Sequence, residues 1–391
     1  MLAPNLEPSE KPVATASTFF TAPPTSCSNQ KRLRPRRYRL NCRKNHVRSL
    51  GGNDEGRARN RRRVGLHVRA KCAAAVSMSS YAWLALEFMD RADTGPNFFA
   101  GSYIDRHSDA REIPEWRAHA AADPATLYVA VCGTTQLVYR EPAPRIAFLH
   151  ADHPLVRAAS DDQLALLGWF RGTRCMLIEL DAADRAALPA GAHFEELRVV
   201  AALLPSDEAG LLAYARGLSI WRSRHRFCGT CGAALLRERA GHVLRCSNAG
   251  CGVEAFPRID PAIIVMVTDG ARALLGRQAS WPAGRYSTIA GFVEPGESLE
   301  DAVVREVAEE TGVAVHGIHY HSSQPWPFPA SLMVGFQARC APDATIAVGG
   351  ELEDARWFTR TEIDAGAAGL PPSHSISYRL ISTWLAGTHR E

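Results

Sequence analysis

The spacing of apolar residues divides the chain into a featureless leader and two patterned stretches. Between residues 95 and 215 the strand-like runs fall at 126–132, 145–149 and 175–180. Residues 201–221 place Leu203, Leu211, Leu212, Ala215 and Leu218 at helical spacing, which predicts a helix there. From Asp260 the pattern returns to strand. Residues 263–268 are almost wholly apolar, Asp269-Gly270 is a hairpin turn signal, and Ala273-Leu274-Leu275 leads back. Ser298 followed by Asp301 marks a helix start and Gly312 a stop, so residues 299–311 are expected to form one helix. No run reaches the length of about 18 apolar residues that a membrane span needs. No repeat appears at solenoid or propeller periods.

Charge changes this picture at the N-terminus. Residues 1–77 contain 17 Lys/Arg and 4 Asp/Glu, whereas the remaining residues contain 28 and 37. The body is therefore mildly acidic despite a chain pI near 8.5, and a polyphosphate ligand needs local positive charge or metal to settle on it. The basic, acid-poor, Ser-containing leader has the composition of an organelle transit peptide. Residues 68–75 look like a plastid processing region, so a plastid location is expected. The alternatives are a nucleic-acid-binding arm or a true start at Met78, which leaves a cytoplasmic or peroxisomal location.

Four of the ten cysteines cluster as Cys228-x2-Cys231-x14-Cys246-x4-Cys251. Two close pairs can offer four thiolates to one tetrahedral Zn2+. Gly229 and Gly232 suit the sharp turns of such knuckles. The scattered remainder is no disulfide framework and fits a reducing compartment. Four thiolates leave no position for water, so the zinc is expected to be structural. Free thiols, paired disulfides or a nucleic-acid-binding ribbon are the other readings of the same spacing.

The decisive segment is the helix at 299–311. At 100° per residue, Glu306, Glu309 and Glu310 share an arc of about 100°. Val303, Val304 and Val307 take the adjoining arc and are expected to face a core. Three carboxylates so placed repel one another in a free helix. Mg2+, which takes oxygen ligands and is completed by substrate phosphates, would relieve that repulsion. A solvated acidic face is the bland alternative. Arg305, four residues before Glu309, is placed to orient it.

The spacing Gly291-x5-Glu297-x7-Arg305-Glu306-Val307-x-Glu309-Glu310-x-Gly312-Val313 matches every fixed position of the Nudix box. Downstream, Ser323-Gln324-Pro325-Trp326-Pro327-Phe328-Pro329-Ala330-Ser331 resembles the SQPWPFPxS signature of the NADH pyrophosphatase family of Nudix hydrolases. Read from composition alone, it is a proline-stiffened loop with two aromatic faces and two polar side chains. That family also places a four-cysteine ribbon directly before the Nudix domain and a Nudix-like domain before the ribbon.

The resemblance implies an α+β chain: a basic leader at 1–77, a Nudix-like domain at 78–222, a zinc ribbon at 223–257 and a catalytic Nudix α/β/α sandwich at 258–391. It implies roughly two or three Mg2+ or Mn2+ ions on the Ala290 carbonyl, Glu306, Glu309, Glu310 and Glu351, with Glu353 as the rival of Glu351. Arg305 is counted with the catalytic glutamates. Phe292 and Phe256 are assigned to stacking on the ligand, and the stretch Gln324–Ser331 with Ser377 to further substrate contacts. Two departures from the family bear on affinity: Trp221 is followed by Arg222 rather than His, and Gly241 stands roughly where some members carry an acid. The implied reaction splits NADH, or NAD, into AMP and (reduced) nicotinamide mononucleotide without a covalent intermediate. The resemblance also implies a homodimer, with no membrane partner. Removal of NAD caps from RNA is the rival reading, and a non-catalytic nucleotide sensor a weaker one, since the box glutamates are complete.

Overall fold

A computed structural model describes residues 95–387. The leader therefore lies outside the described residues. The described residues all belong to one compact unit.

The first sheet contains β1 (Ile104–Asp105), β2 (Leu127–Cys132), β3 (Thr135–Tyr139), β4 (Arg145–Ile146), β5 (Leu164–Phe170), β6 (Thr173–Glu179) and β7 (Ala192–Glu196). Its order is β1-β5-β6-β2-β3-β4, with β7 also pairing β3. The β2–β6 pair is parallel and the rest are antiparallel. The run expected at 145–149 is strand only as far as Ile146, then returns through a single bridge from Leu149 to Tyr128.

Helix α1 (Ser206–Arg224) packs one face of this sheet with Leu211, Leu212, Ala215 and Leu218. It starts five residues later than its apolar spacing predicts. The cause is Pro205, which disfavours a helical Leu204; Leu204 is extended, with ψ 155. Residues 201–203 form a separate 3-10 turn.

The ribbon follows as a three-stranded sheet of β8 (Leu235–Glu238), β9 (Val243–Cys246) and β10 (Glu254–Ala255). Gly232 turns at φ +76, whereas Gly229 keeps an ordinary φ. Gly241 is also left-handed, at φ +87, and a Cβ placed there would lie 2.6 Å from the Cβ of Ala165. This chain therefore has no room for an acidic side chain at 241.

The second sheet contains β11 (Asp260–Thr268), β12 (Arg272–Arg277), β13 (Ile289–Phe292), β14 (Val315–Trp326), β15 (Ser331–Cys340) and β16 (Asp354–Thr359). Its order is β14-β15-β11-β12-β16, with β13 on β11, and the β11–β15 pair is parallel. Strand alternation assigns the two faces. Ile263, Val265 and Val267 face helix α2 (Leu299–Thr311), while Ile264 and Met266 face helix α3 (Ile376–Leu385). Helices on both faces make the expected α/β/α sandwich.

The two sheets share a plan, as the expected Nudix-like domain of the first half implies. Each sets a hairpin, a short strand, a helix, two antiparallel strands and a final strand in that order, around one parallel pair. The first copy has only a five-residue helix, Pro154–Ala158, where the second carries α2.

Candidate active site

Local signals build α2 as the sequence predicts. The Ser298 hydroxyl accepts the Asp301 N–H, Asp301 returns a bond to the Ser298 N–H, and Gly312 closes the helix at φ 69. Val303 and Val307 are buried, but Val304, one step further round, is 43% exposed and belongs to no core. Two of the three box glutamates, Glu306 and Glu310, are buried on the side facing the sheet.

Gly291 makes room for them. A Cβ there would lie 1.9 Å from the Glu306 carboxyl carbon, so the missing side chain is the seat of that carboxylate. Burial, with Glu309 and Glu351 adding like charge, pushes the Glu306 carboxyl up. Burial followed by the charges of Glu306 and Glu351 pushes Glu310 up to about 7. No hydrogen bond or ion pair holds the Glu310 carboxylate among the described residues. A buried acid cluster with uncompensated charge is a donor set suited to hard divalent cations.

The two distal glutamates differ in their surroundings. Glu351 acts on both Glu306 and Glu310, while Glu353 is ion-paired to Arg277.

Arg305 ties the cluster together. Its Nε and one terminal nitrogen donate to both Glu297 oxygens at 2.7 and 2.9 Å. The other terminal nitrogen reaches Glu309 Oε2 at 3.0 Å and Glu306 Oε1 at 2.9 Å. The terminal nitrogen on Glu297 also donates to the Phe292 carbonyl at 2.9 Å. This is a positioning role rather than a catalytic one, because every donor is turned toward protein. Glu297, which Arg305 holds down at about 2, completes that brace. Sequence reasoning quoted Glu297 only as a spacer of the box, although its fixed distance from Arg305 was the signal.

On β13, Ile289 faces α2 with Gly291, while Ala290 packs with the α3-side core. Ala290 pairs with Ile264 and Phe292 with Ala262. Phe292 is 59% exposed and Phe256 57% exposed, and no ring contact joins the two among the described residues.

The 324–331 stretch is not a free recognition loop. Gln324 is fully buried and donates to the carbonyls of Phe98 and His374 at 3.1 and 2.8 Å, while its Oε1 accepts the Ile376 N–H at 2.8 Å. These bonds give Gln324 a structural part in holding the first half, β14 and the start of α3 together. Trp326 and Phe328 pack into the core of the first sheet. The Arg198 guanidinium lies 3.9 Å over the Phe328 ring, and Arg216 donates to the Pro327 carbonyl at 2.6 Å. Ser377 is buried and accepts the Thr288 N–H at 3.1 Å.

A cavity of about 430 Å3 opens on the α3 side of the second sheet. Gln324, Trp326, Phe328 and Ser377 all line it, and Phe99, Arg198 and Ala201 of the first half supply another wall. That wall, with Trp281 and Arg285, was missed from sequence. Pro325, Pro327, Ala330 and Ser331 line a different cavity, and Pro329 a third. The box glutamates lie on the opposite, α2 side, so a ligand using both must cross the end of β13.

The buried Gln324 yields a first expectation. Gln324→Leu keeps the volume but strands one N–H and two carbonyls, and should cost ~2–4 kcal/mol of stability. Urea unfolding reads this directly, and an unchanged midpoint would deny Gln324 this structural part.

The four cysteine sulfurs lie within 4.8 Å of one another, with Cys228–Cys251 at 3.8 Å and Cys231–Cys246 at 3.4 Å. Tetrahedral zinc with bonds of about 2.3 Å requires sulfurs about 3.8 Å apart. The residues present therefore fit Zn2+. The N–H groups of Cys231 and Thr230 pull the Cys228 thiol down to about 6, whereas burial pushes Cys246 up to about 12, so the backbone favours one thiolate of the set.

A carboxylate helix seated on the box glycine, within an α/β/α sandwich, defines a Nudix hydrolase. The comparisons agree from residue 125 to residue 381. A NUDIX domain matches residues 258–381, an NADH pyrophosphatase zinc ribbon domain 223–256, and an NADH pyrophosphatase-like rudimentary NUDIX domain 125–221. The NAD-capped RNA hydrolase NUDT12 of Macaca fascicularis is 34% identical over 74% of this chain and 73% of the relative. Its counterpart from Homo sapiens is 33% identical over the same shares. The NAD-capped RNA hydrolase NudC of Stutzerimonas stutzeri is 43% identical over 56% of this chain and 76% of the relative. The chain belongs to the zinc-ribbon-containing NADH pyrophosphatase family of Nudix hydrolases.

Proposed function

We propose that the chain hydrolyses the pyrophosphate of NADH, and of NAD, to AMP and (reduced) nicotinamide mononucleotide, with Mg2+ or Mn2+ on Glu306, Glu309, Glu310 and Glu351. One observation carries the reading. Strand β13 sets Gly291, the seat of the glutamate cluster, beside the exposed ring of Phe292. A pyrophosphate held at the carboxylates has a flat apolar surface one residue away for a base. When bound, the divalent ions neutralise charge on the pyrophosphate and supply a water of lowered pKa. Arg305 holds Glu306 and Glu309 in place. Glu310, buried and without a protein partner among the described residues, keeps its carboxylate available to a cation.

The relatives' names support the NAD end of this choice. Those names specify NAD-capped RNA and so support the same chemistry on an NAD cap, while the NADH pyrophosphatase descriptions of the matched domains support the free dinucleotide.

The test is kcat/KM on NADH, NAD, NAD-capped RNA and an analogue whose adenosine is replaced by a plain alkyl group. Wild-type enzyme supplied with Mn2+ is expected to cleave the dinucleotides. Failure on NADH, NAD and capped RNA alike would end the proposal. Phe292→Ala should lose roughly tenfold or more on NADH, from stacking plus burial, and much less on the alkyl analogue. Equal losses on both would remove Phe292 from base recognition and leave it a part of the fold.

A further inference from the structure

A second cavity, of about 340 Å3, is lined by residues of the first sheet's domain, the ribbon and the 325–332 stretch. Phe99 and Trp326 line both this cavity and the first, so their rings form a shared wall. Its volume is at the low end for small-molecule sites, which suits one nucleotide rather than a dinucleotide.

Arg106 and Arg111 bring two guanidinium groups to it, and neither has a carboxylate within ion-pair distance among the described residues. A terminal nitrogen of Arg111 reaches only the Arg106 carbonyl and the Tyr214 hydroxyl, both at 3.4 Å. The Arg111 Nε is buried without a partner. The Arg106 guanidinium lies 4.1 Å over the Tyr214 ring. Beside them the His242 Nε2–H donates to the Leu166 carbonyl at 2.7 Å. Burial, followed by Arg111, pushes His242 down to about 4, so it adds no competing cation.

Nearby arginines are neutralised by acids: Arg171 by Asp207, Arg239 by Glu112 and Arg258 by Asp260. Arg106 is exposed and free to turn toward a ligand, and the buried, unbonded Nε–H of Arg111 costs free energy until an acceptor arrives. The guanidinium fork matches the oxygens of a phosphate. The remaining wall is aromatic, from Tyr103, Tyr214 and Trp326, and offers faces to a planar ring.

We propose that this cavity binds a nucleoside monophosphate, with its phosphate on Arg106 and Arg111 and its base against the aromatic wall. The site uses no box glutamate and stands whether or not the dinucleotide is the substrate.

Equilibrium dialysis of labelled AMP against the full zinc-loaded chain tests it. Wild type should bind one AMP per chain that Phe292→Ala does not remove. The double variant Arg106→Ala/Arg111→Ala should weaken that binding by about tenfold or more, with kcat/KM on NADH unchanged within about twofold. Gly217→Leu provides a second route. Gly217 lines the cavity on α1 and a Cβ there meets nothing within 4 Å. Leucine favours helix over glycine, so this variant should stay folded while filling the cavity. It decides the matter if the arginine variant melts early. In the Phe292→Ala background, AMP binding that survives the added Gly217→Leu, or an absence of AMP binding before it is added, would overturn the proposal.

Discussion

Glu309→Gln is expected to lower kcat at least about a hundredfold, ~2.7 kcal/mol of barrier, while the protein melts as wild type. The separation of the two effects follows from placement. Glu309 is exposed, and its protein bond is the one to Arg305 at 3.0 Å. Arg305 retains Glu297, Glu306 and the Phe292 carbonyl without it. An exposed ion pair of this kind is worth about 0–1 kcal/mol, so the fold scarcely registers the change. The carboxylate charge offered to the catalytic cations disappears entirely. Glu306→Gln is a poorer probe, since Glu306 is buried against Gly291 and its loss mixes stability with chemistry. A rate above about a tenth of wild type with unchanged melting would sink the placement of the metals.

Cys228→Ser is expected to remove the zinc and lower the melting temperature together. Four sulfurs within 4.8 Å make a closed site, and three ligands hold the ion far less well. The ribbon joins α1 to β11 and buries Leu244 in the core of the first sheet. Its loosening is therefore felt beyond the knuckles. A loss of ~2 kcal/mol corresponds to a fall of roughly 3 °C at this size. Atomic absorption and calorimetry on the same sample read both quantities. Zinc lost without a shift in melting would contradict the structural role.

What the sequence made legible was local. Helix α2 begins and ends at its expected residues because Ser298, Asp301 and Gly312 act over one turn each. The ribbon was legible for the same reason. Helix α1 was placed five residues early because apolar spacing ran on through Leu204, whose extension is forced by Pro205. The structural part of Gln324 was not legible, because nothing in a proline-rich stretch tells a buried amide from an exposed one; its partners at Phe98, His374 and Ile376 are distant in sequence. The ion pair that sets Glu353 apart from Glu351 likewise needed Arg277, about seventy-five positions away. The common plan of the two sheets leaves no repeating pattern, since a strand order can recur without any residue recurring.

Trp326 and Phe328 belong by sequence to the second sheet's hairpin and by packing to the first sheet's core. Neither half can open alone without baring those rings to water, so the two copies share a single cooperative unit of unfolding. The half without a glutamate helix has kept a thermodynamic hold on the half that carries one. Excising residues 258–391 as an autonomous hydrolase would cut through that unit and leave its seam exposed.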